Sequence, residues 1–354
     1  MDKDIERALP WVVSVALFMK MLDTTIMNTS LPSIAVDFNE SPLEMQSVVV
    51  SYLLTLALFM PISGWIADRF GVRNVFIFAN IVFMIGSLLS AISGSVTELV
   101  LARIVQGFGG AFLAPVGRLA IIKVFPRSRL TEMLSFISIP ALMGPLVGPA
   151  VGGFLSQYAS WHWIFLINIP AGIFASLAAV KYMPSLKVEG LARFDWTGFA
   201  LVGFSLICGT LGLKTATGFY IPSIYAMPLV LASFILLIWY VVHAKRVKFP
   251  LFDLKVFKIR SFSVGIVGNI FARLASGTMP YMTPLLLQVG LGYSPFYAGL
   301  LLIPSAIMSI FGKQLVTYLL KRVSYRLFLC TNTVLIGVFM MLYATVGHDT
   351  PLWL

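Results

Sequence analysis

Gly64-Trp65-Ile66-Ala67-Asp68-Arg69-Phe70-Gly71-Val72-Arg73 joins two apolar runs, roughly 46–66 and 75–94. Each run has the length of about 20 residues that a helix needs to cross the hydrocarbon of a bilayer. The charges stand only in the bend between them. Gly71 permits a tight reversal where a residue with a Cβ would be strained. Asp68 sits where a span ends and can accept from neighbouring helix N-termini or an arginine. Arg69 and Arg73 hold the bend on one side of the membrane, which the positive-inside rule makes the cytoplasm. A helix, a charged reversal and a second helix are therefore the unit from which the chain is built.

The unit repeats in both directions. The chain has 354 residues, of which 59% are hydrophobic and only 11% charged. A soluble fold of this length could not hide so much apolar surface, and a bilayer accepts it. Eleven spans are expected, at about 11–33, 46–66, 75–94, 98–122, 133–156, 163–183, 197–213, 223–243, 262–287, 296–318 and 327–347. The runs are too long and too uniformly apolar for barrel strands, so the expected class is an all-α integral membrane protein. With the N-terminus inside, 19 of the 25 lysines and arginines fall in cytoplasmic segments and one, Lys214, in an outer loop. That asymmetry supports span number and orientation together. It also accounts for most of the net charge of +11 without any nucleic-acid partner. Eleven spans place the C-terminus, Pro351-Leu352-Trp353-Leu354, outside.

Polar residues inside the spans are candidates for function, because the membrane makes them costly. Asp23 is the only one of 14 acidic residues near the middle of a span. Desolvation can bring such a carboxyl into a range useful for proton exchange. Lys20, three residues earlier on the same helix face, is an alternative partner that would make Asp23 a structural ion pair. Arg103 needs a partner or a wet cavity; the alternative is snorkelling to the outer interface near Glu98. Arg273 is deep in its span and could face a cavity, with Asn28, Gln106 and Asn168 as further candidates. Arg118 and Lys313 stand near cytoplasmic ends, where snorkelling suffices. Cys208, Cys330 and three scattered histidines offer neither a disulfide framework nor metal spacing. No hydrolase, nucleotide-loop or zinc signature occurs, so an enzyme or a primary pump is not expected, and no cofactor is implied.

The quoted bend resembles the signature loop of the major facilitator superfamily, G-x-x-x-D-R-x-G-R-[RK], with Asn74 in place of the last basic residue. Arg103, Gln106, Gly107, Gly109, Gly110 and Pro115 resemble its fourth-span motif. Gly144-Pro145 with Gly148-Pro149 and Gly152-Gly153 resembles the antiporter motif, typical of drug/proton exchangers. Leu22 to Pro32, Trp161 to Gly172 and Asp195 to Gly198 resemble the fourteen-span drug/proton antiporter family from residue 11 onwards. The repeat of the signature loop departs from the pattern: Leu320-Lys321-Arg322-Val323-Ser324-Tyr325-Arg326 has no carboxylate, and Ser324 stands where glycine is expected.

The resemblance implies inverted three-helix repeats. It divides the chain into a six-helix domain (1–183), a central pair of extra helices (184–245) and three helices of a C-terminal domain (246–354). It implies a multi-pass protein of the bacterial inner membrane that exports small amphipathic molecules against protons by alternating access. Asp23 and Arg103 would couple protons, and Gly64, Asp68, Arg69, Gly71 and Arg73 would form the cytoplasmic gating loop. Partners would be lipids, small amphipathic substrates and protons, with a monomer as the expected state. Eleven of fourteen spans leaves two alternatives: a shortened chain that inserts without transporting, and an importer or facilitator of the same superfamily.

Overall fold

The computed structural model describes residues 3–188, 190–215, 223–319 and 322–343. Every element among them is helical. The first span is α1 (Lys3–Asp37), and α2 (Gln46–Phe59) continues through one tight turn into α3 (Ser63–Phe70). The six-helix set is completed by α4 (Val72–Ala91), α5 (Val96–Val124), α6 (Arg127–Tyr158) and the pair α7 (Trp163–Leu166) and α8 (Asn168–Tyr182). After a linker come α9 (Trp196–Thr215) and α10 (Ala226–Arg246). A second linker leads to α11 (Arg260–Ser276), α12 (Met279–Leu285), α13 (Pro295–Leu319) and α14 (Tyr325–Tyr343). Nine helical stretches among the described residues are long and apolar enough to cross a membrane.

The ninth expected span takes a different form. Residues 262–287 are not one helix: α11 ends at Gly277, α12 follows, and a wide turn over Leu286–Gly290 leads to Gly292, whose φ is +71°. Pro280 and Pro284 lack the amide hydrogens a continuous ladder needs, which accounts for the break. α13 is a single 25-residue helix with Pro304 inside it. The expected outer C-terminus and Leu320-Lys321 of the repeated loop lie outside the described residues.

Local sequence explains the boundaries. Gly71, with φ +93° and ψ 136°, separates α3 from α4, as the quoted stretch predicts. Ser95 caps α5 by accepting from the Glu98 amide at 3.2 Å, while the Glu98 carboxylate accepts from the Gly94 amide at 2.8 Å. Donors left over at a helix start are thereby satisfied. Pro126 precedes α6, where its missing N–H costs nothing.

The main core lies in the first six spans. Val13, Ala16, Phe76, Phe83, Leu113 and Ile121 are among its fully buried residues. A second cluster, with Ile26, Leu31, Ile34 and Phe165, fills the end of these helices away from the N-terminus. That side of the membrane is called distal here, and the N-terminal side proximal. α6 packs along α1 through glycines: a Cβ on Gly144 would stand 2.7 Å from the Leu22 nitrogen, and one on Gly152 2.6 Å from the Ile26 carbonyl. The Thr25 hydroxyl donates to the Gly144 carbonyl at 3.2 Å across this contact.

Candidate functional site

α1, α4, α5 and α8 each bring polar side chains to one buried place. Asp23 Oδ2 accepts from Arg103 Nη1 at 2.8 Å, and both residues are 1% exposed. Asp23 Oδ1 accepts from Gln106 Nε2 at 2.8 Å and from Asn168 Nδ2 at 2.9 Å. Ser87 of α4 closes the cluster, accepting from the same two amides at 2.6 Å and 3.2 Å. The Arg103 guanidinium also donates to Gln106 Oε1 and lies 4.0 Å from the centre of the Tyr52 ring. A carboxylate with three donors and a guanidinium over an aromatic face is a compensated buried ion pair.

The spacing within each helix makes the cluster possible. Arg103 and Gln106 are three residues apart on α5 and share a face. Ser87 sits in an otherwise apolar stretch of α4 beside Gly86, where a Cβ would meet the Gln106 backbone at 2.4 Å. The absence of that Cβ lets α4 and α5 approach closely enough for Ser87 to reach the amides. Two polar atoms in the network, Arg103 Nε and Asn168 Oδ1, have no hydrogen-bond partner among the described residues, and neither does Asn28 Oδ1 further along α1.

Two sequence alternatives are thereby corrected. Arg103 does not snorkel, because its charge is spent on Asp23. Lys20 does not pair with Asp23 either; the carboxylate is already surrounded by donors from α5 and α8. Ser87 and Tyr52 belong to the site and were not singled out in the sequence. Ser87 is one of two serines in α4, so its residue type did not single it out, and Tyr52 carries no signal either.

The remaining candidates fall in three places. At the proximal bend, Asp68 pairs with Lys123 at the end of α5 rather than with an arginine or a helix N-terminus. The Arg69 guanidinium stacks at 5.0 Å from the Trp65 ring, and Arg73 is half-buried. Gly64 has open space around it, so it makes no close helix contact here. The linker after α8 ties itself to this bend. The Val72 amide donates to the Leu186 carbonyl at 3.2 Å, the Val188 amide to the Asp68 carbonyl at 2.9 Å, and Trp65 Nε1 to the Ala192 carbonyl at 3.0 Å.

At the distal face, the glycines of α6 meet a second helix as well as α1. A Cβ on Gly148 would stand 2.2 Å from Thr25 Oγ1, and one on Gly153 2.2 Å from the Pro295 carbonyl of α13. Reciprocally, Gly299 of α13 faces the Pro149 carbonyl at 2.3 Å. Gln288 Nε2 donates to the Thr29 carbonyl at 2.8 Å, and the Phe296 amide to Gln157 Oε1 at 3.1 Å. Among the described side chains, α13 is mostly half-buried or buried up to Ile303 and mostly exposed from Pro304 on. Arg273 stands apart from both places. It is exposed, and its Nε donates to Asn269 on the same helix at 2.8 Å.

The buried ion pair thus joins the first and fourth spans, and a glycine seam joins this set of helices to a later one. Comparison with known proteins names the class. The chain matches the Major Facilitator Superfamily over residues 13–354, and it belongs to that family. It is 44% identical over 344 residues to a protein of Pectobacterium atrosepticum provisionally named multidrug resistance protein MdtD, covering 97% of this chain and 74% of that relative. An Escherichia coli protein of the same provisional name is 45% identical over 337 residues, covering 95% and 71%. Two solved structures share the fold. The crystal structure of a D-xylose-proton symporter has a TM-score of 0.61 at 17% identity, over 89% of this chain and 69% of that one. The peptide transporter POT in complex with sulfate has 0.63 at 15%, again over 89% and 69%. The family makes this chain a multi-pass membrane transporter and not an enzyme.

Proposed function

We propose that the protein exports small amphipathic, drug-like molecules in exchange for protons by alternating access, with Asp23 as the proton-binding group. The observation that carries this reading is the Asp23–Arg103 pair, closed off from water and held by Gln106 and Asn168. When Asp23 is ionised its charge is matched by Arg103. A proton arriving at Asp23 removes that match and leaves a guanidinium uncompensated in a buried site, a state costly enough to drive rearrangement. Proton binding and helix movement are then two sides of one equilibrium. The name shared by the MdtD relatives supports a drug-like substrate, and the antiporter-type glycine seam of α6 supports exchange rather than symport.

In this reading residues 1–183 act as one domain, 184–245 as a central pair and 246–354 as part of a second domain. The N-terminus is cytoplasmic, and the membrane is the bacterial inner membrane. The contact of Gly153 with Pro295 then lies at the periplasmic side. The bend at Asp68 and Lys123 acts as the cytoplasmic gate.

The test is transport in vesicles of controlled orientation, with a pH gradient imposed and an amphipathic dye as substrate. Wild-type protein is expected to move dye when the gradient is imposed and to stop when it is collapsed. Asp23→Asn keeps size and hydrogen bonding but cannot ionise, and it should insert normally while losing gradient-driven movement. Gradient-driven transport by Asp23→Asn at the wild-type rate would remove Asp23 from the coupling role.

A further inference from the structure

The central pair packs as part of the first six spans rather than as a loose spacer. A Cβ on Gly203 of α9 would stand 2.6 Å from Leu58 Cδ1 of α2. Between ring centres, Phe199 lies 6.1 Å from Phe59 and 5.8 Å from Phe194, and Trp196 lies 6.2 Å from Trp65. α10 is locked to α9 in turn. The Ser205 hydroxyl donates to the Ser233 carbonyl at 2.9 Å, and the Ser233 hydroxyl to the Ser205 carbonyl at 2.8 Å. A Cβ on Gly212 would stand 2.9 Å from the Val230 nitrogen. Hydrogen bonds across helices and close small-residue contacts are what hold helices together in lipid.

The second linker is fastened to this block at two buried side chains. The Asp195 carboxylate, 4% exposed, caps α9: its Oδ1 accepts from the Gly198 amide at 2.8 Å and pairs with His243 Nε2 of α10 at 2.7 Å. Its Oδ2 accepts from the Leu251 amide of the linker at 3.1 Å. The buried Tyr240 of α10 holds the next residue, its hydroxyl accepting from the Phe252 amide at 2.7 Å and donating to the Phe252 carbonyl at 3.1 Å. Leu251 and Leu254 pack on the small core of Leu201, Tyr240 and Ala244. From Phe257 on, the chain is tied to α11 instead: the Phe257 carbonyl accepts from the Ser263 hydroxyl, and its ring centre lies 5.3 Å from that of Phe262. α11 is exposed along most of its described length. Between the two holds stands a short 3₁₀ turn, Leu254–Lys258. Its amide bonds run from Val256 to the Asp253 carbonyl at 3.2 Å and from Ile259 to the Val256 carbonyl at 3.1 Å. Such turns have poorer hydrogen-bond geometry than an α-helix and serve as connectors.

We propose that Asp195 and Tyr240 are positioning residues that fasten the second linker to the central pair. α9, α10 and the chain up to Leu254 then travel with the first six spans, and the pivot for the later helices lies within the turn Leu254–Lys258. This rests on the alternating-access reading and deepens it: the boundary at which one half moves against the other falls after the central pair, not before it. Anchors on two consecutive amides deny Leu251 and Phe252 free rotation, so the φ and ψ changes of a rocking movement pass to the next few residues. The first linker does not take them up, because the Val188 amide and the Ala192 carbonyl are bonded to the bend at Asp68 and Trp65.

The test follows two distances in spin-labelled protein in nanodiscs, with Cys208→Ser and Cys330→Ser as background. Labels at Ile122→Cys of α5 and Val242→Cys of α10 report the central pair against the first six spans. Labels at Val242→Cys and Val264→Cys of α11 report it against the later helices. All three positions are exposed. Between neutral pH and a pH low enough to drive proton binding, the 242–264 distance is expected to shift and the 122–242 distance to stay constant. A shift at 122–242 as large as that at 242–264 would overturn the proposal. Two variants test the fastening. Asp195→Asn keeps an acceptor for Gly198 and His243 but turns an NH2 group towards the Leu251 amide. Asparagine caps a helix as well as aspartate does, so α9 and α10 should stay intact. Hydrogen exchange at the Leu251 amide should rise about tenfold, equivalent to about 1.4 kcal/mol, and Tyr240→Phe should do the same at Phe252. Both variants should also broaden the 242–264 distribution and slow gradient-driven export of rhodamine 123 at saturation with KM unchanged, which a purely local role would not do. Wild-type hydrogen exchange at these amides, or an unbroadened distribution, would overturn the fastening. Constant 242–264 distances in wild-type protein that exports the dye would overturn the pivot. In protein that exports no dye the export reading fails by itself, and the proposal then stands or falls on hydrogen exchange at Leu251 and Phe252.

Discussion

The first six spans and the helices after residue 246 are both rich in apolar residues but are held together in different ways. In the first region every intramembrane charge of the Asp23 cluster is matched across helices, from α1 to α5 and α8. Phe76, Phe83 and Leu113 are buried in a shared core. In the second region Arg273 finds its partner on its own helix and stays exposed, and Pro284, Ala298 and Gly299 are its few buried residues among those described. Lipid tails are as apolar as leucine, so apolar faces alone do not bring membrane helices together. Polar pairs and close small-residue contacts do. The first region has both, and the second is tied to it mainly through the glycine seam between α6 and α13.

Breaking the cross-helix pair should have the largest effect. Asp23→Asn strands Arg103, and the first region should lose about 3–5 kcal/mol of stability, measured as a fall in unfolding temperature of the purified protein. Arg103→Gln with Asp23→Asn should recover much of that loss, because neither charge is then left uncompensated. Equal instability of the double variant would mean that the pair does not act as a unit.

The seam comes next. Gly153→Val forces a side chain against the Pro295 carbonyl, 2.2 Å from where its Cβ would lie. An overpacked contact of this kind costs about 1–3 kcal/mol, and here the expected result is separation of α6 from α13 rather than loss of either helix. Cysteines placed at Gln157 and Phe296 should cross-link readily in the parent and poorly with Gly153→Val. Equal cross-linking in both would show that the seam tolerates bulk.

At the proximal bend the effect should be smaller. Asp68 and Lys123 are 27% and 20% exposed, so Asp68→Asn should cost about 0–1 kcal/mol while slowing transport. Loss of the protein from the membrane would instead mark the bend as purely structural. The smallest effect is expected at Arg273. Arg273→Gln should change stability by no more than about 0.5 kcal/mol, and a loss comparable with Asp23→Asn would erase the contrast between the two regions.

The sequence by itself determined the class of the fold. Spans of about 20 apolar residues separated by charged bends admit a helical membrane protein and little else, because the bilayer leaves no other way to satisfy the backbone. It determined the reversal at Gly71, since only glycine adopts φ +93° there without strain. It also singled out Asp23, Arg103, Gln106 and Asn168, because polar groups in hydrocarbon are too costly to be incidental. What it left open was partnership. Helix periodicity offered Lys20 as a counter-charge for Asp23, and Arg103 was left without a named partner. The tertiary structure decided for Arg103, 80 residues away, and added Ser87. It likewise gave Asp68 its lysine, turned Gly153 towards α13 and broke the ninth expected span at Gly277. Spacing along one helix fixes which side chains share a face, but the neighbour that each face meets depends on how several helices pack at once.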